Sequence, residues 1–238
     1  MAKHVLVTGF EPFGGEKVNP SALVARSFEG RLIAGRPIAV RVLPVETRNI
    51  SERLSRALSE ESPDIVILGG QAGGRNAIAV ERVALNVLDF QQPDSVGVMR
   101  KNDTITRGGP EARLATLPLA EIVSSLTENG IPAYVSNSAG TSVCNQALYE
   151  LLALSDNAPA PIVGGLLQFP YLPNQAAALG AESTPSMSID LMKRAMELAI
   201  ETVAAWVDQR ATPDRGAPRV AAKGPQMWIP RGVKEVER

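Results

Sequence analysis

Histidine is almost missing from this chain: His4 is the only one in 238 residues. Metal sites built on several imidazoles are therefore hard to assemble, as is any triad needing an imidazole away from the start of the chain. Cysteine is equally scarce, and the single Cys144 excludes an intramolecular disulfide framework. Lys+Arg number 24 and Asp+Glu 25, with no long basic block, so the sequence lacks the electrostatic footprint of a partner for nucleic acid or an anionic membrane. Long apolar spans and internal repeats are absent too. The opening MAKHVLVTGFEPF has no apolar core followed by a small-residue cleavage site, so the expected location is the cytoplasm. The glycines spell neither a dinucleotide fingerprint nor a Walker loop with its lysine.

What is present is an ordinary soluble composition, with enough chain for one large core. Lys3 to Thr8 is a β-prone run, and FEPFGGEKVNPS after it is turn-rich before a helical pattern at Ala22 to Phe28. That reading puts Phe10 and Phe13 in a surface loop, where aromatics are expected to line a pocket or an interface. Ile38 to Val45 and Ile65 to Leu68 read as strands, the second buried on both faces and ending in the glycine-dense GGQAGGR. In NAIAVERVALNV, Glu81 either faces water beside Arg82 or points inward, where an ionised carboxylate needs a partner. Residues 89 to 118 are long, polar and loop-like, a lid or a hairpin excursion. Helical patterns at Asn49 to Leu58, Leu119 to Glu128 and Ser188 to Val207 alternate with strand patterns at IPAYVS and PIVGGLLQF. The alternation predicts a single α/β domain over 1–210, a three-layer α/β/α sandwich around a mostly parallel mixed sheet. An extension at 211–238 would dock by Met227, Trp228 and Ile229.

Cys144 stands where the small polar loop Asn137 to Ser142 becomes a helix. A thiol in a first helical turn feels unpaired N–H groups and the positive end of the dipole, which lower its pKa and can hold an oxyanion. Position alone leaves two readings open, a nucleophile and an inert packing thiol.

Taken together, VTGFEPFGG with NPS, GGQAGGR with ERVALN, and SNSAGTSVCNQALYELL with FPYLPNQ resemble the pyroglutamyl peptidase I family, over residues 4 to about 207. The resemblance implies a cytoplasmic cysteine peptidase that removes N-terminal pyroglutamate from peptides without metal or cofactor, as a dimer or tetramer. It makes Cys144 the nucleophile, Glu81 the residue that orients the imidazole, and Phe10 and Phe13 the walls around the lactam ring. Asn19, Gln71, Ser142 and Val143 complete the implied substrate pocket, with backbone amides around Gln71, Val143 and Cys144 for the oxyanion. Three positions depart from the family pattern. Gln168 occupies the place of the family's histidine, Gln91 that of an arginine, and Ser142 that of a phenylalanine. An amide neither takes a proton from a thiol nor gives one to a departing amine. His4 begins the first strand and is no substitute, about five residues or roughly 16 Å from that strand's other end.

Overall fold

The structure is a computed structural model that describes residues 4–180 and 183–211; Met227, Trp228 and Ile229 lie outside the described residues. In chain order the strands are β1 Val5–Phe10, β2 Leu32–Ile33, β3 Arg36–Leu43, β4 Ile65–Gln71, β5 Ile78–Glu81, β6 Val83–Leu85, β7 Ala112–Leu114, β8 Ala133–Ser136 and β9 Val163–Phe169. The helices are α1 Pro20–Arg26, α2 Ile50–Glu61, α3 Leu119–Glu128, α4 Val143–Asp156, α5 Pro173–Leu179 and α6 Ile189–Ala211. Seven strands make one sheet in the order β2-β3-β1-β4-β9-β5-β8. Its neighbours are parallel except β2 with β3 and β5 with β9. The architecture is the expected mostly parallel mixed sheet with helices on both faces.

The apolar runs at the centre become strands because both of their faces are covered. Odd-numbered Val5, Val7, Ile65, Ile67, Leu167 and Phe169 join the core beneath α1, α3 and α6. Even-numbered Leu6, Phe10, Val66, Leu68 and Leu166 join the core beneath α2 and α4. Strand alternation thereby assigns Gly70, Gln168 and Glu81 to the α4 face, because each lies an even number of residues from a neighbour on that face or from Ala79 opposite Gln168. That shared face is the fold's main contribution to the site.

The chain leaves β1 toward β3 on one side and returns to β4 on the other, so the sheet changes direction between β1 and β4. Crevices outside the carboxyl ends of strands at such a switch point are where open α/β sheets bind ligands. Residues 89 to 118 prove to be a hairpin excursion. β6 and β7 pair antiparallel, Leu88 bridges Asp103, and Tyr149 Oη donates to Pro110 O at 2.9 Å. The start of α4 is locked by the two side chains after the cysteine. Buried Asn145 donates to Leu85 O and Val87 O and accepts from Leu85 N, while Gln146 exchanges two hydrogen bonds with Thr47. Among the described residues, no helix is long and apolar enough to cross a membrane.

Candidate active site

A cavity of about 310 Å³ opens at the carboxyl ends of β1, β4 and β9, against the first turn of α4. Its lining includes Phe10, Phe13, Asn19, Gln71, Ser142, Val143, Cys144 and Gln168, eight of the nine residues singled out from the sequence. The ninth, Glu81, is fully buried at the end of β5 and does not line it. His4 is at the other end of β1, its ring against Glu61 O at 3.1 Å, far from this cavity in the strand's own direction.

Phe10 corrects the sequence reading. It is the last residue of β1, is 1% exposed and belongs to the core, so only Phe13 sits in the glycine-rich loop. The strand, buried at every residue, continues two residues beyond Thr8, past a glycine that the sequence reading took for the loop's start. Asn19 is largely committed elsewhere: its Oδ1 caps α1 by accepting from Ser21 N–H and Ser21 Oγ, and its Nδ2 donates to Glu11 O at 3.0 Å.

Cys144 is the second residue of α4, as expected, and its sulfur lies over β4. A Cβ placed on Gly70 would lie 3.1 Å from Cys144 Sγ and 3.5 Å from Gln168 Cγ, so the missing side chain leaves room for both side chains above the sheet. The backbone N–H of Gln71 is near enough to Sγ to favour the thiolate. The expected lowering of the thiol pKa does not hold. Burial first, then the negative charge of Glu81, push the Cys144 thiol up to about 12, against smaller opposing effects of the Gln71 N–H and the Arg75 guanidinium. The loss of water around the sulfur thus outweighs the N–H and the guanidinium, although Cys144 is only half-buried and lines the cavity.

Glu81 points inward, and its partner is Arg75, not the exposed Arg82. Arg75 Nη1 donates to Glu81 Oε1 at 2.6 Å and its Nη2 to Ser138 O at 3.3 Å. Burial raises the Glu81 pKa, while the Ser136 hydroxyl and Arg75 pull it back. Glu81 Oε2 is buried with no hydrogen-bond partner. Gln168 does not fill that vacancy, because its Nε2 donates to Ala139 O at 3.3 Å. The sequence reading missed Arg75 as a site residue, although it closes the GGQAGGR motif; it also passed over Asn145, Gln146 and Gln175, each inside a quoted motif.

The glycine loop is tied to PYLP by shape. A Cβ on Gly73 would come within 2.0 Å of Tyr171 Cζ, inside any real contact. Gly73→Ala is expected to push the half-buried Tyr171 ring off this exposed loop and cost about 1 kcal/mol, the low end of the range for overpacking. Urea denaturation checks it, with an unchanged midpoint counting against the contact.

A sequence model of the family described as "Pyroglutamyl peptidase" matches residues 3–206. Pyrrolidone-carboxylate peptidase of Thermococcus onnurineus is 45% identical over 198 residues, covering 83% of this chain and 97% of that relative. The Klebsiella pneumoniae protein of the same name is 46% identical over 196 residues, covering 82% and 90%. Among solved structures, a mutant pyrrolidone carboxyl peptidase of Pyrococcus furiosus superposes with TM-score 0.83 at 40% identity, covering 86% of this chain and 99% of that one. Pyroglutamyl peptidase I of Bacillus amyloliquefaciens gives TM-score 0.82 at 39% identity, covering 85% and 97%.

Proposed function

From the premise that this chain belongs to the pyroglutamyl peptidase family, a family of cysteine hydrolases, we propose that it cleaves N-terminal pyroglutamate from peptides with Cys144 as nucleophile and with amide hydrolysis slowed by Gln168. The observation that carries this reading is the single cavity that Cys144, Gln71 and Phe13 line, with the edge of the buried Phe10 behind it. Flat aromatic faces suit a five-membered lactam. Sγ would attack the carbonyl that joins the pyroglutamyl residue to the next, the Gln71 N–H and the N–H groups opening α4 would hold the oxyanion, and the amine would leave from a tetrahedral intermediate. No imidazole is available to collect the thiol proton or deliver it to that amine, so water must do both.

The partnerless Glu81 Oε2 and the raised thiol pKa favour a second reading, a lactam-binding homologue that turns over little. One pair of measurements separates the two. Hydrolysis of a pyroglutamyl-amide reporter that disappears in Cys144→Ala supports the peptidase. Calorimetric binding of 2-pyrrolidone without Cys144-dependent hydrolysis supports the binder. Phe13→Ala is expected to weaken lactam binding by about tenfold in either case, one aromatic contact's worth. Unchanged binding would remove Phe13 from the site.

A further inference from the structure

The motif PYLPNQ contains one side chain that the chemistry above does not use. Gln175, in the first turn of α5, is 3% exposed and makes four hydrogen bonds to three separate segments. Its Oε1 accepts from Leu172 N–H at 3.0 Å. Its Nε2 faces Gln71 Oε1 at 3.2 Å, Val18 O at 3.2 Å and Glu16 Oε2 at 3.3 Å. Leu172 follows β9, Gln71 ends β4 directly after Gly70, over which Sγ lies, and Glu16 and Val18 belong to the loop that carries Phe13. Glu16 N–H also closes a turn onto Phe13 O at 3.1 Å.

The bonding pattern has a direction. Because Leu172 donates to the oxygen end of Gln175, the nitrogen end must face the other three groups. Gln71 can then only accept through Oε1, which leaves its own NH₂ end as the one able to meet a carbonyl in the cavity. Two protons shared among three acceptors at 3.2–3.3 Å also couple the segments: a shift in one changes what Gln175 gives the other two. We propose that Gln175 is a positioning residue, setting the amide orientation of Gln71 and the seat of the Phe13 loop, and thereby both lactam affinity and the reactivity of Cys144. The affinity half rests on the lactam-pocket reading; the thiol half does not.

Gln175→Glu is the discriminating variant. It keeps the acceptor for Leu172 N–H but replaces the donor with a second acceptor, inviting Gln71 to turn its NH₂ end away from the cavity. The expected result is about tenfold weaker binding of 2-pyrrolidone by calorimetry, on the scale of one lost hydrogen bond. The same substitution in a Gln71→Ala background should cost clearly less than it does in the unaltered protein, since the Gln71 route is then gone and only the seat of the Phe13 loop remains. Alkylation of Cys144 by iodoacetamide at pH 9 should change by about threefold or more through the Gln71 N–H. A merely structural role as the cap of α5 predicts that any loss in Gln175→Glu, which also sets a second carboxylate beside Glu16, follows the fall in Tm and is just as large in the Gln71→Ala background; that result overturns the proposal. Gln175→Leu, which removes donor and acceptor without adding a carboxylate beside Glu16, should also weaken lactam binding by releasing the Gln71 amide, but less than Gln175→Glu. If the unaltered protein takes up no 2-pyrrolidone, the lactam-pocket reading fails, and the alkylation rates alone decide on Gln175: an unchanged rate in Gln175→Glu rejects it.

Discussion

Gln168→His is expected to raise hydrolysis of pyroglutamyl amides by about 10²–10⁴-fold, the usual worth of general acid–base assistance. The surroundings are already prepared for an imidazole. Ala79 pairs with Gln168 and Glu81 with Leu166 across β5 and β9, so Glu81 is the diagonal neighbour of position 168 on the same face. Such neighbours are roughly 7–8 Å apart at the backbone, within reach of a ring and a carboxylate. Arg75 occupies Glu81 Oε1 and leaves Oε2 buried and unpaired. One ring N–H would satisfy that oxygen, and the carboxylate would favour the protonated ring. On the other side Cys144 Sγ and Gln168 Cγ already flank the same point above Gly70. Steady-state kcat/KM on a peptide-like amide and on an activated pyroglutamyl ester would be compared. The ester needs no proton on its leaving group, so it should gain much less than the amide. An increase below about threefold on the amide would mean that another residue already serves as base, and this account of the site would fall.

How much of this was legible from the residues depends on whether a feature is local. The strand–loop–helix around Cys144 follows from small polar residues meeting a 3.6-residue apolar period, and the structure starts α4 at Val143. The two-sided burial of β4 follows equally from an unbroken apolar run. Phe10 was misplaced because Gly9 looks like a loop opening; it is a strand glycine pressed against the backbone of Ser21, where an added Cβ would lie 2.4 Å from Ser21 O. No local pattern announces that contact. Glu81 needed an inward partner, yet Arg75 rather than adjacent Arg82 supplies it, because β5 pairs with β8 and turns residue 81 toward α4 while residue 82 faces out. The thiol's pKa was the largest reversal. A helix N-terminus can be read from sequence, whereas desolvation depends on what packs around the sulfur, and that comes from Gly70 of β4 and the apolar cluster beneath α4.

Cys144 should alkylate roughly 10²-fold more slowly than an unperturbed cysteine near pH 7, with a rate that keeps rising through pH 9 and 10 instead of levelling there. A free thiol has a pKa near 8.5, and this one is pushed up to about 12, so the thiolate fraction falls by about 10³-fold or somewhat more. Each thiolate is also more nucleophilic, by about half the shift on a logarithmic scale, which returns roughly 10^1.5-fold and leaves a net deficit near 10². The sign carries a stability consequence as well. Above about pH 8.5 the unfolded chain gives up a proton that the folded chain keeps, so this thiol's contribution is intact below that pH and is lost progressively as pH rises toward 12. Iodoacetamide rates from pH 6 to 10.5, measured beside glutathione, test the first statement; a plateau by pH 9 would show that the N-terminal turn of α4 wins over burial after all. Gln168→His in the same assay should move the reactive window down, since a protonated ring beside Sγ opposes both the burial and the charge of Glu81. If that variant speeds amide hydrolysis while leaving the alkylation profile where it was, the imidazole acts only on the leaving amine, and the raised thiol pKa does not limit the rate.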